Sequence, residues 1–139
     1  LKPALEWRAL DFSRRYEVPV HVTFEGDVED VEEPYRTTVS RVVQEALTNC
    51  ARHADASQIA VSLRGSDGRL RLLVRDDGVG LNGMEPPRGG LGLLGIQERV
   101  RQLNGEVSIY STESAGTTLQ IDLPLNGEME EEPVADRAG

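Results

Sequence analysis

Gln44-Glu45-Ala46-Leu47-Thr48-Asn49-Cys50-Ala51-Arg52-His53-Ala54 closes the most regular amphipathic stretch in the chain. Val39, Val42, Val43, Ala46, Leu47, Cys50 and Ala54 recur at helical steps and share one broad face. The spacing predicts a helix opened by Pro34, whose ring suits a first helical position, and running to about Ala54. Along its margin Glu45, Asn49 and His53 stand at successive i,i+4 steps, one above another. Glu and Asn are hard oxygen donors that can serve a divalent cation directly or through water. Taken alone, the three also fit a solvated helix edge.

Working outward, Val18, Val20, Val22 and Phe24 alternate as a strand with one buried face, after a loosely amphipathic helix from Leu1 to Tyr16. Gly26 to Glu33 reads as an acidic turn. Beyond the long helix, Ile59 to Leu63 and Leu70 to Val74 form two strands, with Gly65, Asp67 and Gly68 as the turn of a hairpin. Leu93, Ile96, Val100 and Leu103 mark a further helix that stops near Asn104-Gly105. Val107 to Tyr110 and Thr118 to Leu123 are the last strands, with Ser114 to Gly116 in the turn between them. A hairpin with no crossover helix argues against a doubly wound parallel sheet. The expected fold is α+β, a two-layer α/β sandwich with a mixed, mostly antiparallel sheet and helices on one face.

Three further segments can carry chemistry. Arg75-Asp76-Asp77-Gly78-Val79-Gly80 follows an apolar strand, so a carboxylate stands fixed at a strand end beside exposed backbone. Such a carboxylate can accept a hydrogen bond from an amino group; a tight turn with solvated acids would look the same. Arg88-Gly89-Gly90-Leu91-Gly92-Leu93-Leu94-Gly95-Ile96 leads into a helix whose first N–H groups suit phosphate oxygens. It is not a P-loop, because no Gly-Lys-Ser/Thr follows, nor a dinucleotide fingerprint, because no strand directly precedes it. Gly116-Thr117-Thr118 brings hydroxyls into the last strand, where β-forming residues are expected in any case.

The totals bound the function. The 139 residues make one ordinary domain with 38% hydrophobic residues, enough for a core. The net charge of -9 argues against nucleic acid or an anionic membrane as partner, while leaving room for a local phosphate pocket. Five of the acids fall in the last 14 residues, Asn126 to Gly139, which read as a disordered acidic tail after a domain spanning 1–125. One cysteine excludes an internal disulfide, and no apolar run approaches the ~20 residues of a membrane span. Because Leu1 falls within helical pattern, the expectation is that further chain precedes it.

Taken together, a helix with Glu-x3-Asn, a strand ending in Asp-x-Gly-x-Gly, a glycine-rich segment and a Gly-Thr strand resemble the Bergerat nucleotide fold. Histidine kinases, Hsp90 chaperones, type II topoisomerase ATPase domains and MutL proteins share it. Residues 44–54 resemble the N box of the nitrate-sensor and DesK-like branch of bacterial sensor histidine kinases. Asp76-Asp77-Gly78-Val79-Gly80 resembles its G1 box, and Gly90-Leu91-Gly92-Leu93-Leu94-Gly95-Ile96-Gln97-Glu98-Arg99-Val100 its G2 box. The segment between the G boxes is short, and no separate F box stands out, as in that branch.

The resemblance implies an ATP-dependent protein histidine kinase catalytic domain. Asn49 would hold Mg2+, and Glu45 would act near the γ-phosphate as a base or as a water-mediated metal contact. His53 occupies the place of a basic residue near the phosphates. Asp76 would receive the adenine amino group, with Gly78 and Gly80 giving close approach and Thr117 adding a hydroxyl at the adenine end. Gly90, Leu91, Gly92 and Leu93 would lie over the phosphates. Asp77 is expected to be a local structural or solvated acid, and Arg52 to lie on a solvated helix face, with reach to phosphate as its alternative. The implied partners are an upstream dimerisation domain carrying the phosphoacceptor histidine and a cognate response regulator. The full-length protein would be a homodimer and the isolated domain a monomer. The implied place is the bacterial cytoplasm, with a parent protein either membrane-anchored or soluble. An anti-sigma-factor serine kinase and a degenerate nucleotide-binding scaffold stay open as alternatives, as does a chaperone or topoisomerase ATPase, which would need a longer lid and additional transducing segments.

Overall fold

Alternating apolar residues make the central strands, and their register decides where the core lies. In a computed structural model, residues 1–51, 58–77, 93–112 and 116–125 are described. The elements run α1 (Lys2–Tyr16), β1 (Val20–Gly26), α2 (Tyr35–Asn49), β2 (Ile59–Ser66), β3 (Arg69–Asp76), α3 (Leu93–Gln102), β4 (Glu106–Thr112) and β5 (Gly116–Pro124). The five strands form one sheet in the order β1-β2-β3-β5-β4. Only β1 and β2 pair in parallel, joined across α2; every other pair is antiparallel. The sheet is therefore mixed and mostly antiparallel, as expected.

Side chains at Ile59, Val61 and Leu63, Leu70, Leu72 and Val74, and Leu119, Ile121 and Leu123 are buried on one face of the sheet. Their cross-strand partners match in register, as in Val61↔Val74↔Leu119 and Leu63↔Leu72↔Ile121. The three helices cover this face. From α1 come Leu5, Ala9 and Phe12; from α2 Val39, Val42, Val43, Ala46 and Leu47; from α3 Ile96 and Val100. Each fully buried aliphatic side chain contributes about 1.5–3 kcal/mol. The opposite face carries Arg64, Arg69, Arg71 and Arg75, all exposed. Arg71 donates to Asp122 at 2.7 Å. Among the described residues no helix is long and apolar enough to cross a membrane.

Local chemistry explains the ends. Arg8 Nε donates to Ser40 Oγ at 2.9 Å and ties α1 to α2. The Glu33 carboxylate accepts the Thr37 N–H at 3.1 Å, satisfying a donor in the first turn of α2. The α3 helix closes on a Schellman arrangement: Asn104 is left-handed at φ 62°, and the Gly105 N–H returns to the Val100 carbonyl at 2.9 Å.

Three details depart from the sequence expectation. The region after β1 is not merely an acidic turn, because Val28 and Val31 are buried in the core. Gly65 belongs to β2 rather than to the turn; a Cβ there would overlap the Asp27 carbonyl oxygen, so glycine lets the chain leaving β1 cross closely. The turn itself is Asp67-Gly68, both with positive φ, the two-residue connection that suits a twisted hairpin. Gly116, expected in a turn, is the first residue of β5.

Candidate functional site

β3 is the middle strand of the sheet, and its last residue, Asp76, is only 5% exposed. Ile59 of β2 and Thr117 of β5 flank it in register, so the three side chains share the helix-covered side of the sheet. Asp76 thus extends an otherwise apolar row with a carboxylate. Two contacts hold this strand end. The Gln58 N–H donates to Asp77 Oδ1 at 3.0 Å, and the Asp77 N–H returns to the Gln58 carbonyl at 3.4 Å. Asp77 is accordingly a structural acid, in line with expectation. Gly116, at φ 83°, brings β5 so close that a Cβ would overlap the carbonyl oxygen of Asp76.

The last turns of α2 lie over this end of β3. Cys50 Sγ stands 3.5 Å from Asp76 Oδ2, within range of an S–H donor to a carboxylate. Burial first, then the charge and hydrogen bond of Asp76, push the thiol pKa far up, so the group stays protonated. In the sequence, Cys50 is one member of the broad apolar face of α2. Its place four residues after Ala46, on the face that packs over β3, was the available signal. Glu45 and Asn49 stand half-buried on successive turns at the margin of that face. Their oxygens suit a divalent cation shared with a phosphate. At Cys50 and Ala51 the helix widens into π geometry, an irregularity often found at functional sites.

Asn49, Glu45, Asp76 and Thr117 thus fall on the described elements α2, β3 and β5. Leu93 begins α3. His53, Gly78, Gly80, Gly90, Leu91 and Gly92 lie outside the described residues, as do Arg52 and the tail 126–139.

The family model for histidine kinase-, DNA gyrase B- and HSP90-like ATPases matches residues 35–127. Among curated proteins, the chain is 45% identical over 94 residues to the sensor histidine kinase YdfH of Bacillus subtilis, covering 66% of this chain and 23% of that protein. It is 38% identical over 127 residues to the sensor histidine kinase MctS of Rhizobium johnstonii, covering 89% of this chain and 27% of that protein. The chain therefore spans about a quarter of the length of these relatives. Among solved structures, the histidine kinase domain of the Erythrobacter litoralis EL346 blue-light activated histidine kinase superposes with a TM-score of 0.68 at 30% identity, over 87% of this chain and 59% of that one. The mycobacterial sensor histidine kinase MprB shares the fold at a TM-score of 0.65 and 21% identity, over 88% of this chain and 93% of that one. With its motifs in order and a buried carboxylate at the end of its middle strand, the chain belongs to the histidine kinase-, DNA gyrase B- and HSP90-like ATPase family, as the ATP-binding catalytic domain of a sensor histidine kinase.

Proposed function

We propose that this domain binds ATP with Mg2+ and transfers the γ-phosphoryl group to a histidine on a separate dimerisation domain, for relay to an aspartate of a response regulator. The observation that carries the reading is Asp76, a buried carboxylate in register with Thr117 beneath the last turns of α2. A carboxylate only accepts hydrogen bonds, so it suits the adenine 6-amino group, with Thr117 adding a hydroxyl at that end. Gly78 and Gly80 give the base close approach. Gly90, Leu91, Gly92 and Leu93 meet the phosphates, where N–H groups at a helix start favour anions.

Asn49 would hold Mg2+ through its amide oxygen, and Glu45 would contact it through water or position groups near the γ-phosphate. Among the described residues no three His, Cys, Asp or Glu side chains converge. Mg2+ usually keeps several waters and takes phosphate oxygens, so one or two protein oxygens would suffice to hold it. When bound, it neutralises phosphate charge. His53 adds a basic group nearby. The protein's part is to position groups and to stabilise charge.

The functional unit is residues 1–125, followed by an acidic tail, 126–139. Both histidines of the chain belong to that unit: His21 on the exposed side of β1, and His53 in the N box. The acceptor histidine is therefore supplied by another domain, through which the full-length protein forms a homodimer. The domain works in the bacterial cytoplasm, and the isolated chain is a monomer that binds no nucleic acid.

Calorimetric titration of ATP with Mg2+ into the chain tests the first step; saturable one-to-one binding is expected. Mixing the chain with the acceptor domain should then give an acid-labile, base-stable phosphoprotein. No binding by a folded sample, or an acid-stable label characteristic of phosphoserine, would overturn the reading.

A further inference from the structure

Cys50 follows Asn49 in sequence, and its thiol faces the end of β3. Its Sγ lies 3.5 Å from Oδ2 of the 5%-exposed Asp76. An ionised carboxylate offers two oxygens and only accepts, whereas a thiol donates. The terminal torsion of an aspartate is broad and two-fold, so the direction of each oxygen depends on its partners. A donor fixed on the end of α2 restrains Oδ2 toward the helix. In a site this dry, a weak donor to a charged acceptor counts for more than it does in water.

We infer that Cys50 is a positioning residue for base selection: its S–H holds Oδ2 of Asp76, so that the other carboxylate oxygen is aimed at the 6-amino group of adenine. The inference rests on the reading of Asp76 as the adenine acceptor. Neither partner changes bonding during phosphoryl transfer. The effect therefore falls on nucleotide affinity and base choice, not on the transfer step.

The test measures affinity of the full chain for two nucleotides, ATP and purine riboside triphosphate, which lacks the 6-amino group. Variants are Cys50→Ala, Cys50→Val, Cys50→Ser and Asp76→Asn, each checked by circular dichroism and thermal unfolding. Valine keeps bulk without a donor; serine keeps a donor. Ala and Val should each weaken ATP binding by about 3- to 10-fold, the range for one lost hydrogen bond to a charged group whose donor is weak. Purine riboside triphosphate affinity should change less than about twofold, and Ser should restore most of the preference for ATP.

Equal loss for both nucleotides, or no loss for either, overturns the inference and leaves Cys50 a packing residue. A wild-type chain that does not prefer ATP, or an Asp76→Asn chain that keeps its preference, overturns the reading of Asp76 itself. The two failures are therefore separable.

Discussion

Replacing Gly116 by alanine tests whether the close approach of β5 to β3 is what seats Asp76. Gly116 has φ 83°, a region where a Cβ costs about 1–2 kcal/mol. Its Cβ would also overlap the Asp76 carbonyl oxygen, lie 2.8 Å from the carbonyl carbon and 3.0 Å from the Asp77 Cα. These are backbone atoms, so no side-chain rotation relieves them, and overpacking of this kind adds about 1–3 kcal/mol. The expected total is about 2–5 kcal/mol, a large share of the ~5–15 kcal/mol that holds a typical domain folded. Gly68 is the internal control. It has φ 72°, but no described atom lies within 4 Å of its Cβ position. Gly68→Ala should therefore cost only the conformational part, about 1–2 kcal/mol.

Urea unfolding followed by circular dichroism, extrapolated linearly, gives both values. Gly116→Ala should exceed Gly68→Ala by about 1–3 kcal/mol and should also weaken ATP binding, because the shifted carbonyl carries the Asp76 side chain with it. Equal losses for the two variants would refute the close-approach argument. So would a folded Gly116→Ala chain with undiminished affinity.

Other outcomes follow from single residues. Asp76→Asn swaps a pure acceptor for a group that also donates, so ATP affinity measured by calorimetry should fall by about 10-fold or more, with Mg2+ present throughout. Leu72→Ala empties a fully buried position in the middle of the sheet and should cost about 2–5 kcal/mol in urea titration, with ATP still bound by the folded fraction. Asp122 accepts from Gln120 at 2.8 Å and from Arg71 at 2.7 Å. Partial burial is the largest single influence and raises its pKa, but those hydrogen bonds and the nearby arginine charges together bring it below the ordinary carboxylate value. A depressed folded-state pKa stabilises above the unfolded value and loses that effect as pH falls through the folded one. The stability gap between wild type and Asp122→Asn, measured by thermal melts, should therefore be present at neutral pH and close as pH drops below about 4.

What the sequence disclosed, and what it withheld, divides along the range of the interactions. The periodicity of Val39 to Leu47 and the Asp67-Gly68 turn are local signals, and α2 and the β2–β3 hairpin follow them. The insertion of β5 between β3 and β4 is a non-local pairing that no short pattern encodes. Gly65 looked like a turn residue because its reason for being glycine is the Asp27 backbone, distant in sequence. Val28 and Val31 were hidden by the acids around them, since a two-residue contribution to a core has no period. At the site, Asp76 was legible from its position after an apolar strand and before two glycines. Its contact with Cys50 was not, because helix periodicity gives a face but not which atom of the sheet that face meets.

Asp76 is where three stretches of chain far apart in sequence come together: the end of α2, the end of β3 and the start of β5. A nucleotide seated there would act as a non-covalent staple, gripping a helix and two strands at once. Unfolding any one of them would then require letting the nucleotide go. The cell's nucleotide supply would thereby set how firmly the domain is closed, adding about 2.7 kcal/mol when free nucleotide reaches a hundred times its dissociation constant.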